Sequence, residues 1–83
     1  MKKTYIVKFD TQRHKVYSSW EFITEETSKK AAIARARELW AANGNRAHMY
    51  HCKAERVSAP VQLADYQKFS LVSWTPGMWG YEA

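Results

Sequence analysis

The stretch "EETSKKAAIARARELWAANGN", Glu25 to Asn45, departs from its surroundings in both period and composition, and its reading decides the fold. Thr27 reads as an N-cap ahead of Ser28, and Gly44, within Asn43-Gly44-Asn45, reads as a left-handed stop. Together they predict a helix from about Ser28 to Ala42. At about 100° per residue, Ala32, Ile33, Ala36, Leu39 and Trp40 fall in one stripe, which is the face to bury. The alanines let the helix sit close on a sheet, while Leu39 and Trp40 fill the wider gap at its far end. Lys30 and Arg37 flank the stripe on one side and Arg35 on the other.

Toward the N-terminus the period drops to two. In "TYIVKFD", Thr4 to Asp10, Tyr5, Val7 and Phe9 share one face and Ile6 and Lys8 the other. After the polar turn "TQRH", the stretch "KVYSSWEFIT" alternates again. Val16, Ser18, Trp20 and Phe22 lie on one side of it, and Tyr17, Glu21 and Ile23 on the other. Two such strands with a short polar link predict a hairpin.

Beyond the helix, "RAHMYHCKAERVS", Arg46 to Ser58, holds good strand formers without clean alternation, which predicts a strand with a bulge. "APVQLADYQ" is a connector in which Pro60 can open a short helical turn. "KFSLVSW", Lys68 to Trp74, reads as a fourth strand, and Thr75-Pro76-Gly77 as the turn that ends its pairing.

The expectation is therefore an α+β fold of order ββαββ: a four-stranded, mainly antiparallel sheet with one helix packed on one face and the spatial order 2-1-3-4. A helix of this length spans about 22 Å, so it leaves the opposite face of the sheet bare. That face carries Ile6, Tyr17 and Ile23. Residues 1–74 form a single domain on this reading, and residues 75–83 form an aromatic tail. The favoured placement folds Met78 and Trp79 over the bare face, with Tyr81 at its rim; the alternative holds the tail for a partner.

Composition supports one dense core. The chain has 83 residues, a single cysteine at Cys52, and twelve aromatic side chains (four Trp, five Tyr, three Phe). With no disulfide available, large rings must supply the stability of so small a domain. Thirteen Lys and Arg against eight Asp and Glu give a formal charge of +5, which favours anionic partners without selecting one. The apolar run near the start, Tyr5 to Val7, is too short for a signal peptide, and no window approaches the 18 or so apolar residues of a membrane span. These features suggest a soluble protein of a reducing compartment, the cytoplasm.

Few residues suggest chemistry. Cys52 has His51 beside it and His48 four positions earlier, but neighbours in a strand point to opposite faces, and no third ligand has matching spacing. Glu25 and Glu26 precede a helix, where negative charge is favourable for structural reasons alone. There is no phosphate-cradling glycine loop and no nucleophile elbow. The expectation is a protein without catalytic residues, metal or cofactor.

Binding is the remaining class. Basic residues gather in the first hairpin (Lys2, Lys3, Lys8, Arg13, Lys15), the helix (Lys29, Lys30, Arg35, Arg37) and the third strand (Arg46, Lys53, Arg56). Lys29, Lys30, Arg35, Arg37, Arg13 and Lys15, with Trp79 and Tyr81 of the tail, are the candidate binding residues. "YIVKF", "WEF", a threonine cap and "SKKAAIARARELW" together resemble short phage and prophage proteins, in particular small anti-CRISPR proteins of ββαββ type, over residues 4 to 58 in size and element order. The resemblance implies an inhibitor that docks on a host nucleoprotein complex, in the host cytoplasm if phage-encoded. The basic charge argues against nucleic-acid mimicry and for contact with guide RNA, target DNA or an acidic protein patch. The alternative is a basic domain that binds nucleic acid directly, and a third reading is a housekeeping domain. No membrane or small-molecule partner is expected.

Overall fold

Two eleven-residue strands, β1 (Lys3–Arg13) and β2 (Val16–Glu26), form the centre of the protein. They pair antiparallel along their whole length, from Lys3 opposite Glu26 to Arg13 opposite Val16. The structure is a computed structural model and describes residues 1–14, 16–58 and 60–76, the last two by backbone alone. β1 continues three residues beyond the expected strand, because Thr11, Gln12 and Arg13 pair with Ser18, Tyr17 and Val16 instead of forming the turn. The link shrinks to two residues, and His14 takes a φ of 58°, the left-handed backbone that tight hairpin turns demand.

The rest follows as α1 (Lys29–Ala42), β3 (Tyr50–Arg56), a 3-10 turn (Leu63–Asp65) and β4 (Phe69–Pro76). This is the expected α+β architecture, an antiparallel four-stranded sheet with one helix on one face, but its strand order is β3-β1-β2-β4 and not 2-1-3-4. β2 and β3 flank β1 as expected. β4 instead lies outside β2, at the opposite edge from β3. The reason is the connector: twelve residues separate β3 from β4, far more than a hairpin uses, and they reach around the end of the sheet. Val57 N–H donates to the Thr4 carbonyl at 2.9 Å as the chain leaves β3. Tyr66 then bridges to Ile23 at the end of β2, its hydroxyl accepts the Glu25 N–H at 3.2 Å, and Gln67 N–H donates to the Ile23 carbonyl at 2.6 Å. Gln67, with φ 52°, turns the chain into β4. Pairing does not stop at Trp74: Thr75 and Pro76 remain opposite Tyr17 and Val16. The tail from Gly77, with Trp79 and Tyr81, lies outside the described residues, as does Lys15.

The helix begins one residue later than expected. Ser28, not Thr27, is the cap: its extended backbone (φ −155°) lets Oγ accept the Ala31 N–H at 3.1 Å. Gly44 ends the helix with φ 82°, as its place after Asn43 predicts. Ala32 and Ala36 are fully buried, and Trp40 is 6% exposed. Beneath them lie Tyr5, Val7 and Phe9 of β1, Phe22 of β2 and Ala54 of β3, closed at one end by Met49. Trp40 is the hub of an aromatic group, edge-on to Phe9, Trp20 and Phe69 at centroid distances of 5.1, 5.3 and 4.9 Å. Its indole N–H donates to the Ala47 carbonyl at 3.0 Å, and that of Trp20 to the Thr11 hydroxyl at 3.0 Å. The opposite face of the sheet carries Ile6 against Ile23, half-buried, and Tyr17, only 4% exposed, so it is not uniformly bare.

Candidate basic interface

The capped helix start projects Lys29 and Lys30 into solvent in its first turn, and no acidic residue shares that turn. This opposes the helix macrodipole, whose positive end lies there and disfavours cations by about 0.3 to 1 kcal/mol each. Lys30 and Arg37 are seven residues apart, two turns, so they share a flank. Arg37 lies on the β3 side, close enough for its charge to act on the Cys52 thiol. Arg35 belongs to the other flank, half-buried and paired with Glu38 Oε1 at 2.9 Å. The candidate helix residues thus divide into two groups, and only Lys30 and Arg37 stand together beside β3.

β3 adds to that flank. Arg56, opposite Tyr5, projects on the helix side of the sheet, while Lys53, opposite Lys8, projects on the other side, and both are exposed. At the hairpin end, Arg13 and Arg46 line one shallow hollow with Gly44 and Asn45. Among the described residues, Lys8 and Arg35 are the only lysine or arginine side chains in an ion pair, Lys8 with Glu55 at 3.4 Å. Lys30, Arg37 and Arg56 therefore stand on the helix side of the β3 edge without an ion-pair partner among the described residues, while Lys53 belongs to the opposite face with Glu55. Glu55 is the one carboxylate of β3, and Lys8 holds it on the face away from the helix.

A second feature, which the sequence did not disclose, is a hollow of about 310 Å³ on the open face of the sheet. Asp10 sits in its wall, accepting a hydrogen bond from Ser19 Oγ at 2.8 Å, with its other oxygen 3.2 Å from His51 Nδ1. His51 reaches this place because β3 bulges: the register with β1 shifts between Lys8 and Asp10, and His51 takes a φ of 55°. The arrangement is not a nucleophilic triad. Ser19 is bonded to the carboxylate and not to the imidazole, so the imidazole is not placed to take its proton. Lys8, Lys53, Asp10 and Glu21 leave the rim mixed in sign. Cys52 points the other way, half-buried against the core. Burial pushes its thiol up from the usual range, with Asp10 adding to this and Arg37 opposing it, which disfavours the nucleophilic thiolate. Among the described residues no three His, Cys, Asp or Glu side chains gather as a metal would require. No described helix is long and apolar enough to cross a membrane.

The Asp10 to His51 contact spans forty-one positions, and no local pattern signals it. The only available hint is the bulge expected in the third strand. Of the candidate binding residues, Lys29, Lys30, Arg37 and Arg13 are exposed and without an ion pair among the described residues, whereas Arg35 is paired. Comparison with known proteins finds no matching family model, no similar curated protein and no similar solved structure.

Proposed function

We propose that this chain is a non-catalytic binding protein that docks on an anionic partner through the flank formed by Lys30, Arg37 and Arg56. The observation that carries the reading is the placement of the cations. Lys29 and Lys30 sit at the helix end that disfavours them, and among the described residues Lys30, Arg37 and Arg56 have no ion-pair partner. A surface that only needed solubility would gain by exchanging these lysines for acids, whereas a surface that meets phosphates or carboxylates would lose its purpose. The expected partner is a host nucleoprotein complex, with the protein acting as an inhibitor of the kind its resemblance to anti-CRISPR proteins implies. Direct binding of nucleic acid is the alternative.

The test pairs the parent with a Lys30→Glu, Arg37→Glu double variant. Fluorescence anisotropy on generic DNA and RNA at two salt concentrations reads direct binding. If the flank meets duplex phosphates, the variant lowers the slope of log affinity against log salt by about 2, since each phosphate contact contributes about 0.9. Absence of binding at low salt removes the alternative. Capture of a CRISPR or other nucleoprotein component from bacterial lysate, kept after nuclease treatment and lost in the double variant, supports docking on a complex. No capture by the parent, or equal capture by the variant, overturns the proposal.

A further inference from the structure

We infer that the outer edge of β4 is a self-association surface at which two copies of this chain pair. The two edges of the sheet are built differently. β3, "YHCKAER", carries Lys53, Glu55 and Arg56, and charge is a usual device that discourages edge pairing, whereas an irregular register is common to both edges. β4, "FSLVSWTP", has no charged residue. Leu71, Val72 and Trp74 are 52, 55 and 59% exposed. Leu71 and Trp74 stand opposite Trp20 and Ser18, so they lie on the helix side of the sheet, while Val72 borders the hollow on the open face. The helix packs over β1, β2 and β3, and Phe69 is the β4 residue that reaches its Trp40. Leu71 and Trp74 are therefore an apolar shelf that the helix does not roof.

Charge selects the occupant. Two molecules of formal charge +5 repel wherever their basic surfaces meet, and least along a strip that has no charge. An acidic partner is drawn instead to the opposite edge, on the helix side of which Arg56 and Arg37 stand. Antiparallel pairing of β4 with a second β4 sets the two apolar shelves side by side. It also leaves the charged β3 strands as the outer edges of an eight-stranded sheet, so association closes at two copies.

The size of the contact sets its strength. Eight residues extend about 27 Å along a sheet about 10 Å thick, a footprint well short of the roughly 800 Å² per partner of stable complexes. The register shift that leaves Val72 unpaired with β2 also bends this edge and shortens the straight run. The dimer is accordingly weak and depends on concentration. Salt should strengthen it by screening the +5 repulsion, the opposite of its effect on phosphate binding.

Sedimentation equilibrium up to millimolar protein tests the inference, with Leu71→Lys and Val72→Lys as variants at already exposed positions. The parent mass should rise from 9.7 kDa toward twice that value with concentration, and further with salt. Both variants should remain monomeric while melting like the dilute parent. Amide shifts on concentrating the parent should fall in Phe69–Trp74 and spare β3. A parent that stays monomeric throughout overturns the inference, and so does a dimer that either lysine leaves intact.

Discussion

Replacing Thr24 by valine exchanges one buried oxygen for a methyl group and leaves the shape of the side chain nearly unchanged. Thr24 lies on β2 opposite Tyr5 and is fully buried, and its hydroxyl has no hydrogen-bond partner among the described residues. A buried donor without a partner costs about 1 to 3 kcal/mol. Valine fits a strand at least as well as threonine. Thr24→Val should therefore stabilise the fold by about 1 to 2 kcal/mol once the imperfect isostery of the two side chains is discounted. In a domain of this size 1 kcal/mol moves Tm by about 4 to 8 °C, so the melt should shift upward by at least several degrees. Thr24→Ser is the counterpart: it keeps the hydroxyl and removes a buried methyl, with a loss of about 1 kcal/mol. Both are read by circular dichroism melts at low and matched concentration, because association through β4 makes Tm depend on concentration. A Thr24→Val protein that melts below the parent, with Thr24→Ser at or above it, would show that the hydroxyl is satisfied in the folded protein and refute the reasoning.

Two further outcomes follow from the helix cap and the thiol. Ser28→Ala leaves the Ala31 N–H without its acceptor and should cost about 1 kcal/mol, whereas Thr27→Ala should leave the melt unchanged; equal losses would return the cap to Thr27. Cys52, whose pKa burial raises, should alkylate slowly with iodoacetamide at neutral pH and accelerate only above the range of an exposed thiol. Arg37→Gln removes the one neighbouring charge that opposes the shift and should move the onset to still higher pH; a rate at neutral pH like that of a free thiol would contradict the burial.

Much of the fold is legible in the chain because the local signals agree. The stripe of Ala32, Ala36 and Trp40 has helical period, the faces of β1 alternate as its burial does, and Gly44 marks the helix end. Strand order is not local. β4 is placed by the Tyr66 anchor at the end of β2 and by the length of the connector, and the expected third strand, taken from Arg46 to Ser58, made that connector look shorter than it is. The basic flank was legible residue by residue but not as a surface. Only the helix phase and the neighbourhood of Arg37 and Cys52 separate Lys30 and Arg37 from Arg35, which Glu38 neutralises. Asp10 and His51 meet through a bulge whose exact residue no alternation reveals.

The order β3-β1-β2-β4 also orders the events of assembly and opening. β1 and β2 are adjacent in the chain, so their closure loses the least loop entropy and gives a template to which the other strands add. β4 must wait for that template, and it is tied to the helical layer chiefly through Phe69. Its exposed run from Leu71 to Trp74 should therefore show lower protection against hydrogen exchange than Phe69, whose ring stacks on Phe22 at 4.5 Å. The strand that offers itself to a second copy is thus held to the helix chiefly by one ring, and pairing there lengthens the lifetime of that edge.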